Sequence, residues 1–99
     1  MLDFYLIRDD QVKPNFPESL GLVFVGSLDY ITFEKLQNLG IISSQFDYYS
    51  DFRLDSIIIK QIRNNIIQKD LNFNSDIIKF THLFDIADKN KSGLIAFGD

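Results

Sequence analysis

LDSIIIKQIRNNIIQK, residues 54–69, is the stretch on which the fold turns. Its three consecutive isoleucines, Ile57 to Ile59, would suit a strand, because β-branched side chains pack well on a pleated surface. The longer pattern favours a helix. Ile58, Ile62 and Ile66 recur every four residues and Leu54 stands one turn before them. Ile59 and Ile67 widen the stripe, while Lys60, Arg63, Gln68 and Lys69 take the other face. A helix of this kind is stable only if another layer covers its isoleucines.

Downstream, Asn72 to Ser75 punctuate the chain, and a further helix is predicted from about Asp76 to Asn90. Its apolar positions are Ile77, Phe80, Leu83, Phe84 and Ala87, and LIAFGD (94–99) then reads as a closing strand. Upstream, SLDYITFEKLQNLG carries Tyr30, Phe33, Leu36 and Leu39 at near-helical spacing. Ser27 or Asp29 can accept the free amides of its first turn, and Gly40 can take the left-handed position after its end. GLVFVGS (21–27) is a short apolar run bounded by glycine and reads as a buried strand. DFYLIR (3–8) reads as a first strand, with the proline-containing DDQVKPNFPES as the loop between the two. The predicted order is β-β-α-α-α-β: an α+β fold with a small antiparallel or mixed sheet packed against about three helices.

At 99 residues with 45% apolar content, the chain is expected to form one domain around one core. Cysteine is absent, so disulfides and thiolate metal sites are excluded. MLDFYLIRDD lacks the pattern of a secretory leader, and no apolar run approaches the ~20 residues that span a bilayer. A cytoplasmic location is expected. Charge is uneven: residues 1–55 hold nine acids against four bases, while residues 56–99 hold five acids and six bases. Such a field repels phosphate backbones and attracts basic surfaces. A basic protein partner is expected, rather than nucleic acid or a membrane, and a homo-oligomer stays open.

DKNKSGLIAFGD (88–99) resembles the EF-hand calcium loop. Asp88, Asn90 and Ser92 fall at the first three ligand positions, Gly93 at the sixth, Leu94 at the backbone-carbonyl position and Asp99 at the twelfth. Aspartate at the twelfth position has less bidentate reach than glutamate, Ala96 cannot ligate, and no second loop of this type is present. The same letters are explained by a helix end at Asp88–Ser92, with Lys89 and Lys91 complementing the dipole, Gly93 capping and Leu94–Phe97 entering the sheet. That explanation is preferred. No cofactor is expected, with calcium as the alternative.

His82 is the single histidine, and no nucleophile elbow, phosphate loop or dinucleotide fingerprint is present. The carboxylates form no spaced pair in a recognisable setting. The chain is therefore not expected to be an enzyme.

FDYYSDFRLD (46–55) concentrates four aromatics, three aspartates and one arginine. Phe46 and Phe52 can anchor the core, and Ser50 or Asp51 can cap the long helix. Tyrosine and arginine dominate interface hot spots, and aspartates beside them steer a basic partner. The candidate partner-binding residues are Asp47, Tyr48, Tyr49, Asp51, Arg53 and Asp55, which Asp9, Asp10 and Asp29 could extend. If the segment is extended, only one of Tyr48 and Tyr49 can face inward.

DFYLIRDD, GLVFVGSLDY, FDYYSDFR and IADKNKSGLIAFGD together give a pattern that resembles the small acidic immunity proteins of bacterial polymorphic and type VI secretion toxin systems. That resemblance implies a cytoplasmic protein that binds a cognate toxin and neutralises it. It assigns no individual residue.

Overall fold

The computed structural model describes residues 1–13 and 21–98, so residues 14–20 of the expected first loop and Asp99 lie outside the described part. Seven elements follow in order: β1 (Leu2–Ile7), β2 (Phe24–Leu28), α1 (Tyr30–Asn38), β3 (Phe52–Leu54), α2 (Ser56–Gln68), α3 (Ser75–Lys89) and β4 (Gly93–Phe97). The four strands form one antiparallel sheet in the order β2-β1-β4-β3. The fold is α+β, as the sequence predicts.

β3 is an addition to the predicted order. Residues 52–54 alternate buried, half-buried, buried and pair with β4, Phe52 opposite Ala96 and Leu54 opposite Leu94. Three residues are too few for periodicity to announce a strand; its partner supplies the ladder. Leu54 is consequently the end of β3, not the first turn of the long helix. The cap moves with it. Asp55 accepts from the Ile58 amide at 2.8 Å, in place of the expected Ser50 or Asp51. In α1, Asp29 is the cap, accepting from the Thr32 amide at 2.7 Å, and Gly40 takes the left-handed position with φ +74°.

Gly93 does not cap α3. Lys91 takes the left-handed conformation after the helix, φ +52°, and Gly93 begins β4. A Cβ at Gly93 would stand 2.8 Å from the Leu54 carbonyl oxygen, so close approach of β3 accounts for the glycine. Extending the isoleucine stripe of α2 to Ile67 is also wrong, since that side chain is 62% exposed.

Leu2, Phe4, Phe52, Leu54, Leu94 and Ala96 project from the sheet into one core with Ile59 and Ile66 of α2 and the five predicted apolar positions of α3. Phe4 meets Phe80 and Phe52 edge-on at 6.2 and 6.3 Å. Gly26 lets β2 approach α3, because a Cβ there would lie 2.7 Å from the Leu83 Cδ2. On the other face, Tyr5 makes edge contacts with Phe24 and Phe97. Arg53 also leaves the sheet on that side, opposite Ile95. Its guanidinium donates from Nη1 to the Gln11 carbonyl at 2.6 Å and from Nη2 to the Arg8 carbonyl. No helix among the described residues is long and apolar enough to cross a membrane.

Candidate functional site

The acidic aromatic segment becomes a turn rather than an extended strand. The Asp47 carboxylate accepts from the Tyr49 amide at 3.2 Å, and the Asp47 carbonyl accepts from the Ser50 amide and hydroxyl at 3.1 and 3.0 Å. An aspartate that bonds the amide two residues on is a standard way to close a turn. Adjacent side chains then diverge. Tyr48 is 7% exposed and its hydroxyl donates to the Leu28 carbonyl at 3.2 Å, whereas Tyr49 is 62% exposed.

Tyr30, at the start of α1, completes the site. The spacing of α1 places it on the apolar face, yet it is 48% exposed and lies against the two tyrosines of the turn. The Tyr30 and Tyr49 rings are 24° from parallel with centroids 6.3 Å apart. Tyr48 stands at right angles to both, 5.4 Å from Tyr30 and 5.1 Å from Tyr49. Each such ring pair contributes about 0.5–1.5 kcal/mol beyond the area it buries. The three rings form a surface cluster with Tyr48 as floor.

Acids rim this cluster. Hydrogen bonding to the Glu34 carboxylate pushes the Tyr30 phenol above its ordinary value, and the charge of Asp47 acts in the same direction. Among the described residues, no lysine or arginine lies within ion-pair distance of Glu34 or Asp47. Asp51 differs: Lys13 Nζ stands 3.6 Å away, and its Oδ1 accepts from the Gly98 amide at 3.3 Å.

The six sequence-derived candidates therefore separate. Asp47 and Tyr49 stay exposed at the cluster, and Tyr48 supports them from below. Asp51 fastens the turn to the end of β4, Arg53 holds the 8–11 loop, and Asp55 caps α2. Asp9 is engaged at the same helix end, accepting from the Ser56 amide at 3.1 Å and from the Ser56 hydroxyl. That hydroxyl bond, chiefly, holds the Asp9 carboxyl below its ordinary value. Asp10 stands 3.6 Å from Arg8. Tyr30 and Glu34 are the members missed by sequence. The signal was faint, an aromatic at the first residue of a helix, where one face of the ring has no preceding turn to cover it.

Of the residues of the calcium alternative, Asp99 lies outside the described residues, and Asp88, Asn90, Ser92 and Leu94 have other partners. Arg63 Nη2 donates to Asp88 at 2.8 Å and to Asp85 at 2.9 Å, with its guanidinium 5.5 Å from the centroid of Phe84. Asn90 and Ser92 bond to the carbonyls of Ile86 and Asn90. Leu94 lies within β4, between Leu6 of β1 and Leu54 of β3. Among the described residues, no three acidic or histidine side chains converge on a point that could hold a metal ion.

A cleft of about 500 Å³ opens between residues 40–46 and α2, walled by Ile41, Phe46, Ile58 and Ile62 with the amides of Gln45, Gln61 and Asn65. None of its lining residues is titratable, so it supplies no general acid or base. His82 is exposed on α3, away from that lining. No family model, curated protein or solved structure matches the chain.

Proposed function

We propose that this protein is a binding protein whose exposed Tyr30–Tyr49 pair, rimmed by Glu34 and Asp47, docks a basic protein surface. The observation that carries the proposal is an exposed pair of tyrosines beside two carboxylates with no lysine or arginine among the described residues within ion-pair distance. Tyrosine supplies large contact area at low entropic cost, and unpaired acids raise the encounter rate with a basic partner. The same field disfavours nucleic acid and anionic membranes as partners. No catalytic role is proposed.

The partner we propose is a bacterial toxin, which this protein neutralises in the cytoplasm as an immunity protein. Support for this narrower reading is the sequence resemblance together with the acidic tyrosine surface. The experiment is co-expression with the product of the adjacent gene in a host whose growth that product arrests. Restored growth is expected with the parent chain, and renewed arrest when Tyr49→Ala and Asp47→Lys are combined. Arrest that the parent chain does not relieve removes the immunity reading.

A further inference from the structure

We infer that the Tyr30–Tyr48–Tyr49 cluster is a receptor for a single arginine side chain presented by a protein partner, which rests on the binding-surface reading above and names the group recognised. The ring geometry comes first. The three centroids form a triangle with sides of 5.1, 5.4 and 6.3 Å. A flat cation laid over the face of Tyr30 or Tyr49 sits within about 6 Å of that ring's centroid, the range over which aromatic faces attract cations, while Tyr48, at right angles to both, supports the pair from below. Tyr30 and Tyr49 are nearly parallel, which suits a flat cation. Guanidinium is planar and weakly hydrated, while ammonium is compact and strongly hydrated, so arginine fits better than lysine.

Charge makes the same choice. Glu34 and Asp47 stand at the rim with no lysine or arginine among the described residues within ion-pair distance. Elsewhere the chain combines the same components with its own cation: Arg63 lies over Phe84 while bonding Asp85 and Asp88. The tyrosine cluster repeats the aromatic and acidic parts of that arrangement.

The cluster is also held in place before any ligand arrives. Tyr48 is fixed by its bond to the Leu28 carbonyl, and the Tyr49 backbone by Asp47 and by the close approach of Gly98. Preorganisation of this kind lowers the ordering cost of binding.

The test uses the whole protein and three blocked tripeptides, Gly-X-Gly, with arginine, lysine or citrulline at the centre. Citrulline keeps the shape of arginine and removes its charge. Tyrosine ring resonances are followed by NMR at fixed ionic strength. Saturable shifts of Tyr30 and Tyr49 are expected with the arginine peptide, about fivefold or more weaker affinity for lysine, and no saturation with citrulline. Tyr49→Ala is expected to weaken the arginine peptide by about tenfold, and Tyr49→Phe to retain it. Equal binding of citrulline, an absence of saturation with arginine, or unchanged affinity in Tyr49→Ala overturns the inference. A loss confined to the growth assay leaves the peptide result standing, so failure of the immunity reading and failure of the arginine receptor are told apart.

Discussion

Gly98 lies so close to Tyr49 that a Cβ on the glycine would stand 2.5 Å from the Tyr49 carbonyl carbon. The end of β4 thus forms a rest for the turn that presents the exposed tyrosine, and the Gly98 amide ties the two together through Asp51. The neighbouring atoms are backbone, the Tyr48 carbonyl oxygen and the Ser50 amide, which cannot swing aside as a side-chain end would. Gly98→Ala is expected to displace the turn and to cost about 1–3 kcal/mol, as overpacking usually does. The denaturation midpoint and the Tyr49 ring resonances check it; an unshifted turn in the variant contradicts the contact.

Arg53 joins the edge strand to the 8–11 loop through two carbonyls. Hydrogen bonds to a charged donor contribute roughly 1.5–3 kcal/mol when buried, and less where the pair is half-exposed. Arg53→Met keeps most of the stem and removes both bonds. It is expected to lose about 2 kcal/mol of stability and to raise amide exchange in residues 8–13. If only global stability fell while exchange in that loop was unchanged, the bonds would not be what holds it.

Asp9 makes stability depend on pH in a fixed direction. The Ser56 hydroxyl bond holds its folded-state carboxyl below the ordinary value. A depressed folded value means the contribution is present above the unfolded value of about 3.9 and disappears as pH falls through the folded one. Asp9→Asn is expected to be less stable at pH 7 and to show a flatter decline in acid. Denaturant titrations from neutral to acid pH, parent against variant, read this out; parallel curves would refute it.

Calcium should leave the protein unchanged. Arg63 engages Asp88, and Leu94 is held in the middle of β4. A site with a dissociation constant one hundredth of the calcium concentration would stabilise the fold by about 2.7 kcal/mol. Thermal unfolding with and without millimolar calcium is expected to coincide, and a clear upward shift would restore the metal site.

Sequence by itself determined the α+β class, a cap for α1 at Ser27 or Asp29, the glycine after α1 and the five core positions of α3, because each depends on local periodicity or on one residue's conformational freedom. It also marked the acidic, tyrosine-rich segment at 46–55. Tertiary structure alone decided β3, because a three-residue strand exists only through its ladder to β4. It decided that Arg53 and Asp9 are engaged in internal bonds, since their partners lie 42 to 47 residues along the chain and nothing local announces them, and it moved the cap of α2 to Asp55 by ending β3 at Leu54. Most of all, it brought Tyr30 beside Tyr49. Nineteen positions apart in the chain, the two rings meet because α1 and the 47–50 turn both lean on Tyr48, and an interface assembled from two segments is invisible until the core has placed them.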